Sequence, residues 1–235
     1  MTPVTGEFVG TAILMILGDG VVANVVLAKT KGNNGGWIVI TFGWAMAVFV
    51  AVFCVAPVSG AHLNPAVTLA LAIAGKFEWA LVPMYILAQL AGAFAGGIFV
   101  WSVYRNHFNA TDNAEAKLAV FCTGPAIRDR FDNLVSETLA TFVFILAILY
   151  IVSPKSSLGA LDALPVALLV LAIGLSLGGS TGYAINPARD IGPRLAHAVL
   201  PIPGKRDSDW GYAWVPILGP MLGGALAAAA YMALQ

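Results

Sequence analysis

A nine-residue stretch that occurs twice constrains this chain more than any other feature. Ser59-Gly60-Ala61-His62-Leu63-Asn64-Pro65-Ala66-Val67 and Thr181-Gly182-Tyr183-Ala184-Ile185-Asn186-Pro187-Ala188-Arg189 both lead from small residues into Asn-Pro-Ala. Asn is a favoured helix N-cap and Pro a favoured first helical residue, so each copy predicts a helix starting at Asn64 or Asn186. A capping Asn spends its side-chain oxygen on the helix's own free N–H groups. Its amide NH2, two donors, is then left pointing away from the helix. Each copy would present those donors, with the positive end of a helix dipole, to whatever lies in front of it. A single box of this kind is an ordinary helix cap. Two, at matching places in two apolar halves, point to a paired site.

The residues around the boxes put that site in a membrane. Of 235 residues, 59% are hydrophobic and 10% charged, where a soluble domain carries about 25% charged residues. So little polar surface suits a bilayer, and a formal net charge of +0 gives no support to nucleic-acid binding. Cys54 and Cys122 form no metal-ligand pattern and do not report a redox compartment. The first apolar run lacks a basic lead-in and a cleavage site, and is read as a retained span. A span needs about 20 mostly apolar residues. Six stretches qualify, at roughly 6–28, 37–57, 79–104, 134–152, 160–179 and 211–233. The apolar runs after the boxes, 67–74 and 187 to about 199, are shorter. At about 1.5 Å per residue, the first rises through only about half of a ~30 Å hydrocarbon core. These are expected to be half-helices, entering from one side each.

The halves match beyond the boxes. Glu7-x-x-x-Thr11 at the start of the first span is answered by Glu137-x-x-x-Thr141 at the start of the fourth. Gln89-x-x-Gly92 in the third is answered by Pro220-x-x-Gly223 in the sixth. Each copy has three spans, an odd number, so the copies enter the bilayer from opposite faces. The expected architecture is all-α: one transmembrane channel domain, 1–235, built from inverted repeats 1–105 and 133–235. Six transmembrane helices and two re-entrant half-helices would place the site near the midplane. Gly92-x-x-x-Gly96 and Gly219-x-x-x-Gly223 permit close helix contact.

These paired boxes on a six-span inverted repeat resemble the major intrinsic proteins, the aquaporins and aquaglyceroporins, over nearly the whole chain. The resemblance implies one pore per subunit, a homotetramer, residence in the plasma membrane, and both termini in the cytoplasm. Charge counting opposes that orientation. With the termini inside, outer loops would hold Lys29, Lys31, Arg105, Lys117, Arg128, Arg130, Arg194, Lys205 and Arg206, against Lys76 and Lys155 inside. The positive-inside rule favours the reverse, and the resemblance is given the greater weight.

Asp190 directly after Asn-Pro-Ala-Arg, Arg194 four positions on, and Pro216-Ile217 in the last span resemble the glycerol-facilitator branch. Spacing from the boxes maps the family's selectivity filter onto Trp44, Gly174, Tyr183 and Arg189. The departure is Tyr183, where many glycerol channels have Phe. Pointing into the lumen, its oxygen would narrow the opening and contact a solute. Pointing outward, it would bond protein or vestibule water and Tyr would behave as Phe. By the same resemblance, Arg189 offers its fork of donors to two hydroxyls of a polyol, while Trp44 and Tyr183 make an apolar corner and Gly174 leaves room. Backbone carbonyls of Gly60, Ala61, His62, Gly182, Tyr183 and Ala184 would line the path, with Asn64 and Asn186 as donors. Glu7 and Glu137 would orient the two loops.

The implied activity is passive diffusion of glycerol, water and other small neutral solutes, with no enzymatic step and no cofactor. Urea, dihydroxyacetone, hydrogen peroxide and lactic acid are not ranked by the sequence. Protons and cations would meet two positive helix ends and Arg189 and be repelled. The competing reading is a proton-coupled secondary transporter with Asp19, in Gly18-Asp19-Gly20, as its proton site. It lacks a chain of ionisable groups along the pathway. For Asp19 itself, an outer vestibule or a partner such as Asn24 are both open.

Overall fold

The structure, a computed structural model, describes residues 1–151 and 161–235. All regular structure in these residues is helical: α1 (Pro3–Val26), α2 (Trp37–Ser59), α3 (Pro65–Ile73), α4 (Val82–Ala110), α5 (Ala114–Ala119), α6 (Arg130–Ile151), α7 (Leu164–Ser176), α8 (Pro187–Val199) and α9 (Val215–Ala233). Five helices, α1, α2, α4, α6 and α9, are long and apolar enough to cross a membrane. The span expected at 160–179 is helical over Leu164–Ser176, 13 residues. Pro165 stands in its first turn, and Gly178-Gly179 follows its end, where two flexible residues favour a turn over further helix. Residues 152 and 160, and Lys155, lie outside the described residues.

Sequence explains why the helices start and stop where they do. Thr2 caps α1 by accepting from Thr5 N, with Pro3 behind it. Gly60 ends α2 with φ 81°, a left-handed conformation that costs glycine little. Two departures concern the long connection at 105–133. The third expected span runs on as α4 to Ala110, so Arg105 is helical, and Asn113 caps the unforeseen short helix α5.

Small residues set the packing. A Cβ on Gly92 would lie 2.3 Å from Phe8 O, and one on Gly223 2.3 Å from Thr138 O. The backbones of α1 and α4, and of α6 and α9, therefore touch where the paired glycines lie. The short helices cross over. α3 packs against α9, where a Cβ on Gly224 would meet Ala66 O at 2.9 Å, and α8 packs against α4, where one on Gly192 would meet Ala93 Cβ at 2.5 Å. Ile38, Phe42, Phe53, Leu87, Phe99, Val103, Leu139 and Leu226 are exposed on the outside. Such a surface suits lipid, and a helix pairs most of its backbone groups within itself, as a segment in hydrocarbon must.

Candidate functional site

The site begins where the two short helices meet. Asn64 caps α3 through Oδ1, which accepts from Ala66 N at 2.9 Å; Asn186 caps α8, accepting from Ala188 N at 3.0 Å and Arg189 N at 3.3 Å. Each amide also donates across to the other loop, Asn64 Nδ2 to Ile185 O and Asn186 Nδ2 to Leu63 O, both at 2.8 Å. The helix starts are thus tied together, and one of the two donors expected to be free on each Asn is spent on that tie. One N–H per Asn is left.

The loops before the boxes fold alike because a buried carboxylate holds each. Glu7 accepts from His62 N at 2.9 Å and Leu63 N at 2.7 Å, and Glu137 accepts from Ala184 N and Ile185 N at 3.0 Å each. Both loops carry left-handed residues in register: Gly60, Ala61 and Leu63 in one, Gly182, Tyr183 and Ile185 in the other. For non-glycine residues that conformation costs about 1–3 kcal/mol each, which charge-assisted bonds to a buried carboxylate offset. The halves differ in how each carboxylate is completed. Gln89 Nε2 donates to Glu7 at 2.7 Å, whereas Pro220, its counterpart, has no such group, and Thr181 Oγ1 donates to Glu137 at 2.5 Å. His62 is a loop residue, its Nδ1 3.1 Å from Thr68 Oγ1 and its ring against Phe77 and Tyr85.

Beyond the Asn pair, the side chains of Trp44, Tyr183 and Arg189 come together in front of the backbone of Gly174. The Arg189 guanidinium lies over the Trp44 ring, 4.3 Å from its centroid, and its Nη1 is 3.5 Å from Phe121 O. Tyr183 packs edge-on to Trp37, which donates from Nε1 to Gly174 O at 3.0 Å. The room at Gly174 is already taken: a Cβ there would lie 2.9 Å from Tyr183 Cζ and 3.1 Å from its hydroxyl oxygen. That hydroxyl is buried against Gly174, with no hydrogen-bond partner among the described residues. Of the two orientations left open, the structure takes the outward one, but without the bond to protein expected of it there.

A cavity of about 620 Å³ runs through this region. Its wall includes Trp44, Tyr183, Arg189, Asn64, Asn186, and Gly60, Ala61, His62 and Ala184 of the loops. Gly182 and Gly174 are not part of that wall, since Tyr183 stands in front of Gly174.

Sequence reasoning missed Phe121 and Trp37 and left Asp19 open; Asp19 is fully buried, so it is not in an outer vestibule. Asp19 does not pair with Asn24, whose oxygen accepts from Gly32 N; its Oδ1 lies 3.9 Å from Arg189 Nη1. Phe121 reaches Arg189 because Asp190 folds the long connection inward, accepting from Thr123 N and Oγ1 at 2.8 Å. Arg194 secures Asp190 at 2.7 Å and donates to the carbonyls of Thr123, Ser208 and Asp209. Trp37, at the start of α2, backs Gly174. The Gly18-Asp19-Gly20 oddity was a signal for Asp19. Neither Phe121 nor Trp37 had one.

The geometry agrees with what the chain resembles in other organisms. The family model of the major intrinsic proteins matches residues 1–231. A probable glycerol uptake facilitator protein of Thermotoga maritima is 59% identical over 231 residues, covering 98% of each chain. The glycerol uptake facilitator protein of Bacillus subtilis is 52% identical, over 99% of this chain and 85% of that one. A D/L-lactic acid transporter of Lactiplantibacillus plantarum is 41% identical, over 94% and 93%. Among solved structures, the aquaglyceroporin from Plasmodium falciparum superposes with a TM-score of 0.85 at 33% identity, covering 97% of this chain and 93% of that one. The chain has the aquaporin fold and belongs to the major intrinsic protein family.

Proposed function

We propose that this protein is a passive channel for glycerol and other small neutral solutes, water among them, and that it excludes protons and cations. One observation carries the proposal: a single cavity wall includes both box asparagines, the Trp44–Tyr183–Arg189 corner and the loops beside the boxes. A polyol needs hydrogen bonds on one side and an apolar surface on the other. Arg189 and the remaining N–H of each Asn supply donors, and the carbonyls of Gly60, Ala61, His62, Tyr183 and Ala184, which border the cavity, supply acceptors. Trp44 and Tyr183 take the carbon edge. Gly174 acts from behind, by letting the Tyr183 ring lie back from the lumen. Glu7 and Glu137 hold the loops, and Asp190 holds the connection that carries Phe121. A cation meets the guanidinium and two helix starts whose dipoles oppose it.

The same reading takes residues 1–105 and 133–235 as repeats of opposed orientation, in a homotetramer of the plasma membrane with both termini cytoplasmic. Matched loops on Glu7 and Glu137, and the crossed packing of α3 on α9 and α8 on α4, support the repeats. Charge counting loses weight because many of the outer basic residues do structural work. Arg194 is buried on Asp190, Arg128 pairs with Asp209, and Arg206 pairs with Glu115. Lys117 donates to Pro203 O, and Lys205 to carbonyls at the end of α8.

In proteoliposomes, the initial rate of glycerol entry should rise in proportion to its gradient and ignore an imposed proton or sodium gradient. Saturation, or uphill accumulation driven by protons, would instead favour a coupled transporter.

A further inference from the structure

A buried carboxylate stands behind the filter corner and has no role in the account so far. Asp19, on α1, is 0% exposed, and neither of its oxygens has a hydrogen-bond partner among the described residues. An ionised carboxylate in such a place is costly unless a charge compensates it. Arg189 is that charge, with Nη1 at 3.9 Å from Oδ1. The nearby Asp190 does not compete for Arg189, because Arg194 holds it at 2.7 Å. Asp19 is also kept from the lumen. It does not line the cavity, whereas Arg189 and Trp44 do, and the Trp44 ring presses on the neighbouring Gly18, where a Cβ would lie 2.2 Å from Cζ3. The guanidinium therefore shows one edge to the pathway and has a carboxylate behind it.

We propose that Asp19 is the counter-charge of Arg189. It is a positioning residue that never meets the solute, and it turns the lone positive charge of the corner into a dipole. A lone guanidinium in a narrow, partly dry passage would hold small planar anions and be blocked by them. A guanidinium backed by a carboxylate keeps its forward donors for hydroxyl groups, while its long-range field is largely cancelled. The consequence is selection against anions as well as cations. This rests on Arg189 facing the pathway, as proposed above.

Removing a unit charge from a site of effective dielectric ~20 changes the binding of an ion about 8–12 Å away by roughly ten- to thirtyfold. The test is a charge cycle in proteoliposomes with potassium nitrate, a planar anion with no neutral form at this pH, against potassium gluconate at equal osmolarity. Asp19→Asn should make glycerol flux sensitive to nitrate at roughly tenfold or more lower concentration than in the wild-type protein. Arg189→Gln leaves Asp19 uncompensated and should admit protons, read by an internal pH dye. Adding Asp19→Asn to Arg189→Gln should lower that leak below that of Arg189→Gln alone, though not to the wild-type level because the guanidinium is still missing, and abolish the nitrate effect. A residue that merely fills space would not produce this reciprocity. Should Asp19→Asn fail to assemble alone, assembly restored in the double variant shows the same coupling. Failure of both variants to assemble would overturn the proposal. So would unchanged nitrate sensitivity in a folded Asp19→Asn protein, because a neutral Asp19 carries no counter-charge. Wild-type vesicles that do not pass glycerol would overturn the channel reading instead.

Discussion

Tyr183 borders the cavity, as the family's spacing led one to expect, yet its chemistry is decided elsewhere. Its distance from Asn186 put it at the corner, but its hydroxyl lies against Gly174, away from the lumen and without a bond. Tyr183→Phe should therefore leave the ratio of lactic acid to glycerol flux within about twofold, because a hydroxyl without a bond has no ~0.5–1.5 kcal/mol to lose. A parallel stopped-flow panel over both solutes checks this, and a larger fall in the ratio would put the oxygen in the path. Gly174→Ala is the opposite case. Its Cβ must displace the Tyr183 ring from 2.9 Å, and the open direction is the lumen. Glycerol flux should drop several-fold more than water flux in osmotic assays. Trp44, Gly174, Tyr183 and Arg189 were named by carrying the family's spacing over from the boxes, and the structure brings them near one another. Phe121 and Trp37 were not, because each reaches the corner through a tertiary contact that no local pattern encodes.

At the scale of elements, the two half-helices were the most legible part of the chain. Asn-Pro is a helix start by local chemistry alone, and α3 and α8 begin at Pro65 and Pro187. What the local chemistry could not show is that each capping Asn also bonds the opposite loop, which needs both halves in place. The long connection was legible only as polar. Its short helix and its fold over the mouth depend on Asp190 and Arg194, which lie on another element. The loops depend on α1 and α6. Glu7→Gln or Glu137→Gln would face one backbone N–H with an amide NH2, removing a charge-assisted bond worth about 1.5–3 kcal/mol. Each should lower the melting temperature of detergent-purified protein and reduce glycerol flux, by similar amounts in the two halves. A loss confined to one half would contradict the shared role of the carboxylates. Gly223→Leu tests the packing beneath them. Its side chain must push α9 off Thr138 O, and the yield of folded protein should fall sharply on size exclusion.

For the whole molecule, composition and the duplicated plan already imply a membrane-embedded all-α inverted repeat, because so few charges suit a bilayer and odd-numbered halves must enter it from opposite faces; that it is a channel came from the resemblance to the major intrinsic proteins. Orientation was the weak point, since counting assumes that basic residues are free, and Arg194, Arg128, Lys117 and Lys205 are tied into the fold. The molecule is best understood as two helix starts tied nose to nose beside a cavity whose wall carries the Arg189 corner. The most direct test of that account measures glycerol release and proton leak in the same vesicles, for the wild-type protein and Arg189→Val. The wild type should release glycerol far faster than bare lipid while its proton leak stays at the level of lipid. Arg189→Val should keep the glycerol flux and raise the proton leak. Glycerol release no faster than bare lipid, or an Arg189→Val protein as proton-tight as the wild type, would contradict the account.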